Sequence, residues 1–161
     1  MTKMNEPHKD SQISNLTDYF KDLKPDSGLK GEVQRQGYTL KLSSNDDSVE
    51  FSVHAGINGN IISVRGTAVR FGAHASIELT FANPTNELEL DCYSPSRSYS
   101  CVRIYDKDGK ELHAARADGD TFVKYSGAGI HRAVYEGSVE ASDVSMRLTS
   151  VTHGFAKIKG S

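Results

Sequence analysis

Tryptophan is absent from this 161-residue chain, and cysteine occurs only twice. No second cysteine pair exists, and the two present lack the close spacing of a zinc knuckle. Basic residues are not in excess: 19 Lys and Arg stand against 21 Asp and Glu, a formal charge of -2. A polyanion such as a nucleic-acid backbone therefore has no global field to follow. No apolar run approaches the roughly 20 residues of a membrane-spanning helix. The opening MTKMNEPHKDSQ lacks a charged-then-apolar pattern, so no secretory signal is expected. Two thiols in such a chain suit a reducing, cytoplasmic setting. No segment repeats at a fixed period, which argues against a solenoid or propeller. A soluble globular domain with a core of its own is the expectation that survives.

What is present divides the chain in three. Residues 1–12 are polar and bounded by Pro7, the composition of a disordered tail. Ile13, Leu16, Phe20 and Leu23 then recur at spacings that place them on one stripe, so residues 13–28 are expected to hold a short amphipathic helix and a linker. Ser14 or Asn15 would cap it, and Pro25 and Gly28 would stop it.

From Gly31 onward the period is two. Tyr38/Leu40/Leu42, Val49/Phe51/Val53, Val69/Phe71, Ile77/Leu79/Phe81, Leu88/Leu90, Val102/Ile104 and Val144/Met146/Leu148 alternate with polar residues. Short half-apolar runs of this kind are antiparallel strands with one wet face. Turn chemistry separates them at Asn45-Asp46-Asp47, Asn58-Gly59-Asn60, Asn83-Pro84, Asp106–Gly109 and Asp118-Gly119-Asp120. Residues 31–158 thus predict one all-β domain, a sandwich or barrel.

The chemistry-bearing residues do not form an enzyme signature. No GxSxG and no phosphate-binding glycine loop is present, and the six histidines include no helical i, i+4 pair. An acid–base site of His131 with Asp143 or His153 is the weakest reading, since nothing in the sequence places those residues together. Asp106 and Asp108 are candidates for a calcium ion, although the plainer role of that stretch is a tight hairpin turn. Cys92 and Cys101 bracket a loop that a disulfide would staple, but strand parity puts them on opposite faces.

Two segments have the composition of binding loops. Tyr93-Ser94-Pro95-Ser96-Arg97-Ser98-Tyr99 mixes rigid aromatics with adaptable hydrogen-bonding groups. Tyr125-Ser126-Gly127-Ala128-Gly129-Ile130-His131-Arg132 carries glycines that permit close backbone approach. Tyr93, Arg97, Tyr99, Tyr125, His131 and Arg132 are accordingly the candidate ligand-binding residues. Several of Arg65, Arg70, Arg97, Arg103, Arg116, Arg132 and Arg147 fall at polar strand positions and suggest a partly basic sheet face.

The stretch from Ser76 to Ile158 resembles the galactose-binding-like jelly-roll modules of bacterial proteins. The residues that carry the resemblance are Ile77–Pro84 entering a turn, Leu88–Leu90, the hairpin Tyr105-Asp106-Lys107-Asp108-Gly109, Gly129-Ile130, and a closing Gly154-Phe155 strand. The resemblance implies an antiparallel β-sandwich of jelly-roll type and non-catalytic recognition of a glycan. A sugar ring would lie against Tyr93 or Tyr99, with Arg97 and Arg132 at its hydroxyls. Sugar binders of the class often stack on tryptophan, so tyrosine would serve here. A protein-interaction module, such as an inhibitor, an immunity protein or an assembly subunit, is the alternative.

Overall fold

Alternation of apolar and polar residues needs a surface to bury every second side chain, and this chain supplies it by pairing strand on strand. The computed structural model describes residues 13–95, 99–140 and 144–156. Its strands are β1 (Ile13–Asp18), β2 (Gly28–Leu29), β3 (Glu32–Gln34), β4 (Tyr38–Ser44), β5 (Val49–Ala55), β6 (Asn60–Gly66), β7 (His74–Ser94), β8 (Ser100–Tyr105), β9 (Glu111–Arg116), β10 (Gly119–Ser138) and β11 (Val144–Ala156). Each pairing is antiparallel. Among the described residues there is no helix, so none is long and apolar enough to cross a membrane.

The long strands β7 and β10 organise the molecule. They pair with each other twice, and the register slips between Ser126 and Ile130 and again before Arg132. On one side of the slip, His74–Thr80 and Arg132–Ser138 belong to a first layer with the order β3-β4-β7-β10-β8-β9. On the other, Thr85–Ser94 and Gly119–Ser126 belong to a second layer, β2-β5-β6-β11-β7-β10, with β1 along the end of β11. Asn83-Pro84, expected as a turn between strands, is an exposed bend inside β7, a place where a residue without an N–H does no harm to the ladder. Buried Thr85 secures it: its hydroxyl donates to the Gly154 carbonyl and accepts from the Gly154 amide. Leu40, Ile77, Leu79 and Ile104 of the first layer share one core with Ile62, Val64, Leu90 and Leu148 of the second. The β-sandwich is the expected architecture.

Three expectations are revised. Residues 13–18 form a strand rather than the start of a helix, because β11 offers an open edge whose N–H and C=O groups β1 pairs from Ile13↔Ala156 to Asp18↔Val151. Phe20 is still core, fully buried just after β1, but it is reached by a backbone turn with φ of 58° rather than by a helical stripe. Val69/Phe71 is not a strand: the chain turns there, and Phe71 is fully exposed. The expected tail, residues 1–12, lies outside the described residues.

Other details follow the sequence closely. Gly109 has φ of 84° in the β8–β9 hairpin, as its position after two aspartates suggested. Cys92 is buried, Cys101 is half-exposed, and both are free. Burial pushes the Cys92 thiol well above its ordinary range.

Candidate binding face

The structure distributes the sequence-predicted residues over both layers. Tyr93 points to solvent from β7 in the second layer, between inward Cys92 and Ser94. Tyr99 is exposed beyond the other end of the same loop, with the Arg116 guanidinium 5.0 Å from its ring. Arg97 lies outside the described residues. Tyr125 stacks on His113 of β9 at 5.4 Å and 26°, closing the edge between the layers. His131 falls at the register slip of β10. Arg132 is on the solvent face of the first layer. Among the described residues the two loops do not meet in a cleft. Gly119↔Ser94 and Ser126↔Glu87 mark the two ends of the second-layer part of the β7–β10 ladder, about 23 Å apart at roughly 3.3 Å per residue.

Asp106 and Asp108 belong to the hairpin. One oxygen of Asp106 accepts the backbone amides of Asp108 and Lys110, each at 2.9 Å, so it is occupied in shaping the turn. No group of three or more metal-ligating side chains occurs among the described residues. His153 is buried against Tyr38 and Phe81, and Asp143, its supposed alternative as partner to His131, lies outside the described residues.

The solvent face of the second layer brings together a different group. Register places Tyr93 opposite Asp120 and Asp91 opposite Phe122. Tyr93 and Phe122 are therefore diagonal neighbours, about 7–8 Å apart. Phe122 is 62% exposed. On the other flank Arg147 of β11 pairs with Tyr93 and lays its guanidinium 5.2 Å from the Tyr93 ring centroid. Arg147 makes no ion pair with any described residue. Asp91 is crowded: partial burial, then the neighbouring charges of Asp120 and Glu89, raise its carboxyl above the ordinary 3.8. Tyr93, Phe122, Arg147, Asp91 and Asp120 thus share one outward face; among the described residues Arg147, Asp91 and Asp120 make no ion pair, while Glu89 there pairs with Lys124 at 3.9 Å.

Of that patch, only Tyr93 stood among the sequence candidates. Phe122 was legible in principle. In Thr121-Phe122-Val123-Lys124 the inward residue is Val123, so parity alone sends Phe122 outward. Arg147 stood only within the arginine set, Asp91 carries no local signature, and only strand register makes them neighbours.

The first layer has its own arginine–tyrosine pair, Arg132 over Tyr105 at 4.3 Å. Here the charges are matched. Arg132 lies 3.5 Å from Glu78, Arg103 is 3.4 Å from Glu111 and 3.9 Å from Glu136, and His74 is 3.5 Å from Glu136.

A concavity of about 760 Å³ opens where β2 and β5 part from β4. Leu29, Leu42 and Phe51 line it, with Asp26, Asp47 and Glu50 around them. Asp46, also there, is committed to the turn: the amides of Arg70 and Ser48 and the Ser48 hydroxyl hold its carboxyl down to about 2.

No protein-family model and no curated protein sequence matches this chain. Solved structures do. The K2 cleaved adhesin domain of Lys-gingipain is 7% identical with a TM-score of 0.52, over 87% of this chain and 99% of that one. The glycoside hydrolase domain of Endo-D from Streptococcus pneumoniae R6 is 12% identical with a TM-score of 0.52, over 87% of this chain. Carbohydrate-binding modules are also among the matches, including the CBM22-1 xylan-binding domain of Paenibacillus barcinonensis Xyn10C at 16% identity and TM-score 0.42, over 92% and 97% of the two chains. The chain spans 27% of the Endo-D chain and 19% of a matched tailspike domain of bacteriophage CBA120. At these identities the likeness concerns the fold.

Proposed function

We propose that this protein is a non-catalytic glycan-recognition module and that the solvent face of the second layer is its binding surface. The observation that carries the reading is exposed Phe122 next to half-buried, outward-facing Tyr93, beside an arginine with no carboxylate partner among the described residues. The C–H faces of a sugar ring pack on aromatic rings, while its hydroxyls need both donors and acceptors. Arg147 supplies donors, and Asp91 and Asp120 supply acceptors. The patch lies on the outward side of paired strands β10, β7 and β11, which suits one side of a polysaccharide chain rather than an enclosed small molecule. Affinity electrophoresis through gels containing soluble xylan, β-glucan or galactomannan tests this. Retardation by at least one polysaccharide, lost in Tyr93→Ala with Phe122→Ala, is expected. A folded wild-type protein that migrates freely through a broad panel would end the proposal.

One observation favours recognition of a protein instead. Phe71 is fully exposed yet held from behind: Asp46 accepts the Arg70 amide at 2.9 Å, and Asn45 donates to the Gly72 carbonyl at 3.2 Å. A rigid, solvated aromatic is what an interface anchor needs. In that reading Phe71→Ser loses a specific partner while Tyr93→Ala keeps it.

A further inference from the structure

The outermost strand of an open sheet carries N–H and C=O groups that can pair with any other extended chain. On one side this molecule blunts its edges with very short strands: β3 has three residues and β2 has two. On the other side the first layer ends at β9, which is six residues long. Among the described residues no strand pairs with its outer side. Glu111-Leu112-His113-Ala114-Ala115-Arg116 contains neither proline nor lysine, the residues that commonly guard such an edge.

The β8–β9 ladder fixes which groups face outward. The Ala117 amide donates to the Ser100 carbonyl at 2.9 Å. Antiparallel pairs alternate between bonded and unbonded, so Val102↔Ala115 and Ile104↔His113 exchange hydrogen bonds while Cys101↔Arg116 and Arg103↔Ala114 do not. Ala114 and Arg116 therefore aim N–H and C=O away from β8, at the open edge. At the other end the Asp106 amide donates to the Lys110 carbonyl at 2.9 Å, which by the same alternation sends the backbone groups of Glu111 to the edge as well. Leu112 is the extra residue of the bulge between them. Side chains divide in the same way. Val102 and Ile104 are fully buried, so Ala115 and His113 opposite them turn inward, and Glu111, Ala114 and Arg116 turn to solvent.

This edge is complementary to itself. A second β9 laid antiparallel, with Ala114 opposite Ala114, matches edge-facing backbone groups and sets outward face beside outward face. Arg116 of each copy then meets the Glu111–Leu112 bulge of the other, so opposite charges fall together twice. Sliding the copy by one residue would set outward side chains against inward ones, and sliding it by two would part the charges. At the centre Ala114 adds only a methyl group, beside a groove of about 320 Å³ that Tyr99, Cys101 and Arg116 also line, so no large side chain obstructs approach. We propose that β9 is a self-association edge, through which a second copy of this chain continues the first layer as one sheet across a twofold axis. Six residues a side bury less than the roughly 1,200–2,000 Å² of a standard interface, so the dimer is a weak one.

Sedimentation velocity of the full chain from about 10 to about 500 μM, a range suited to a weak interface, reads the association directly. Amide spectra and hydrogen exchange at the two ends of that range read its location. A concentration-dependent dimer is expected, in which the Ala114 and Arg116 amides gain exchange protection while the Ala115 amide, already bonded within the hairpin, keeps its own. Ala114→Pro removes the central edge N–H and should leave a folded monomer at every concentration, since proline is tolerated where the N–H faces outward from an edge strand. Glu111→Arg should weaken association by about tenfold, and adding Arg116→Glu should restore it to within about threefold. The two positions lie about 16 Å apart along one strand at roughly 3.3 Å per residue, so restoration has to come from contact between copies. A chain that stays monomeric throughout overturns the proposal. So does a dimer in which the Ala114 and Arg116 amides gain no protection, or one whose charge-reversed variant is not restored by the second reversal. If circular dichroism shows Ala114→Pro unfolded, the amide protection and the paired reversals still decide.

Discussion

Both layers of the sandwich set an arginine against a tyrosine on their solvent side, and the two pairs are wired differently. Arg132 on Tyr105 is tied to Glu78 and stands among other matched charges. Among the described residues Arg147 on Tyr93 has aromatic company but no ion-pair partner, and Asp91 and Asp120 beside it make no ion pair. The first face has satisfied its charges internally, so a ligand would have to displace existing contacts. The second leaves donors and acceptors available, at some expense in like-charge repulsion. Composition cannot distinguish the two, since both offer Arg, Tyr and acids. What differs is which strand neighbours bring them together.

The largest expected contrast comes from the tyrosines. Tyr93→Ala should lower polysaccharide affinity by about 30-fold, in line with the roughly 2 kcal/mol of an aromatic hot spot, whereas Tyr105→Ala should stay within about twofold of wild type by titration calorimetry. Equal losses would erase the distinction between the faces. Next are the arginines. Arg147→Ala should weaken binding about tenfold, as expected for a charged hydrogen bond of roughly 1.5 kcal/mol, and barely move the melting temperature. Arg132→Ala should do the reverse, costing up to about 1 kcal/mol of stability through its lost ion pair and ring contact with affinity intact.

The smallest effect concerns Asp91, whose folded carboxyl sits above its unfolded value of 3.8. A raised acid favours folding when protonated, so its contribution is present at low pH and is lost as pH rises through the folded value. Asp91→Asn should therefore be slightly stabilising at pH 7, by up to about 0.5 kcal/mol, while weakening glycan binding. In thermal melts taken at successive pH values, that gain should shrink as pH falls toward 3.8. A destabilised Asp91→Asn at pH 7 would show that the face is not strained as described. Buried His153 has the opposite sign of sensitivity. Burial lowers His153 below 6.5, against the pull of the Gln36 carbonyl and Asp18. Protonation therefore opposes folding, and stability should decline as pH drops below about 6.5. His153→Gln should blunt that decline.

Much of the fold was readable because alternation is a local property. Leu40/Leu42, Ile77/Leu79 and Val102/Ile104 each declare an inward face within a few residues. The N-terminus misled because its apolar spacing suits a helix, while the decisive fact is the unpaired edge of β11, more than a hundred residues away. The proposed binding face was hidden for the same reason. Asp91, Phe122 and Arg147 come from three strands, and only the registers of β7 with β10 and β11 assemble them. The two candidate loops, similar in composition to known binding loops, were separated by the length of a strand that no local pattern measures.

The continuity of β7 and β10 through both layers has a consequence for how this chain tolerates change. Neither layer can open alone without pulling on strands that the other holds, so thermal unfolding should be a single transition. Side chains alternate every residue along a strand, so deleting one residue between Asn86 and Tyr93 would put the outward residues of β7 in the second layer out of phase with their partners on β10 and β11. Evolution can thus lengthen or shorten the bend around Asn83-Pro84 only by steps that restore phase, whereas the tips of the short hairpins are free to vary.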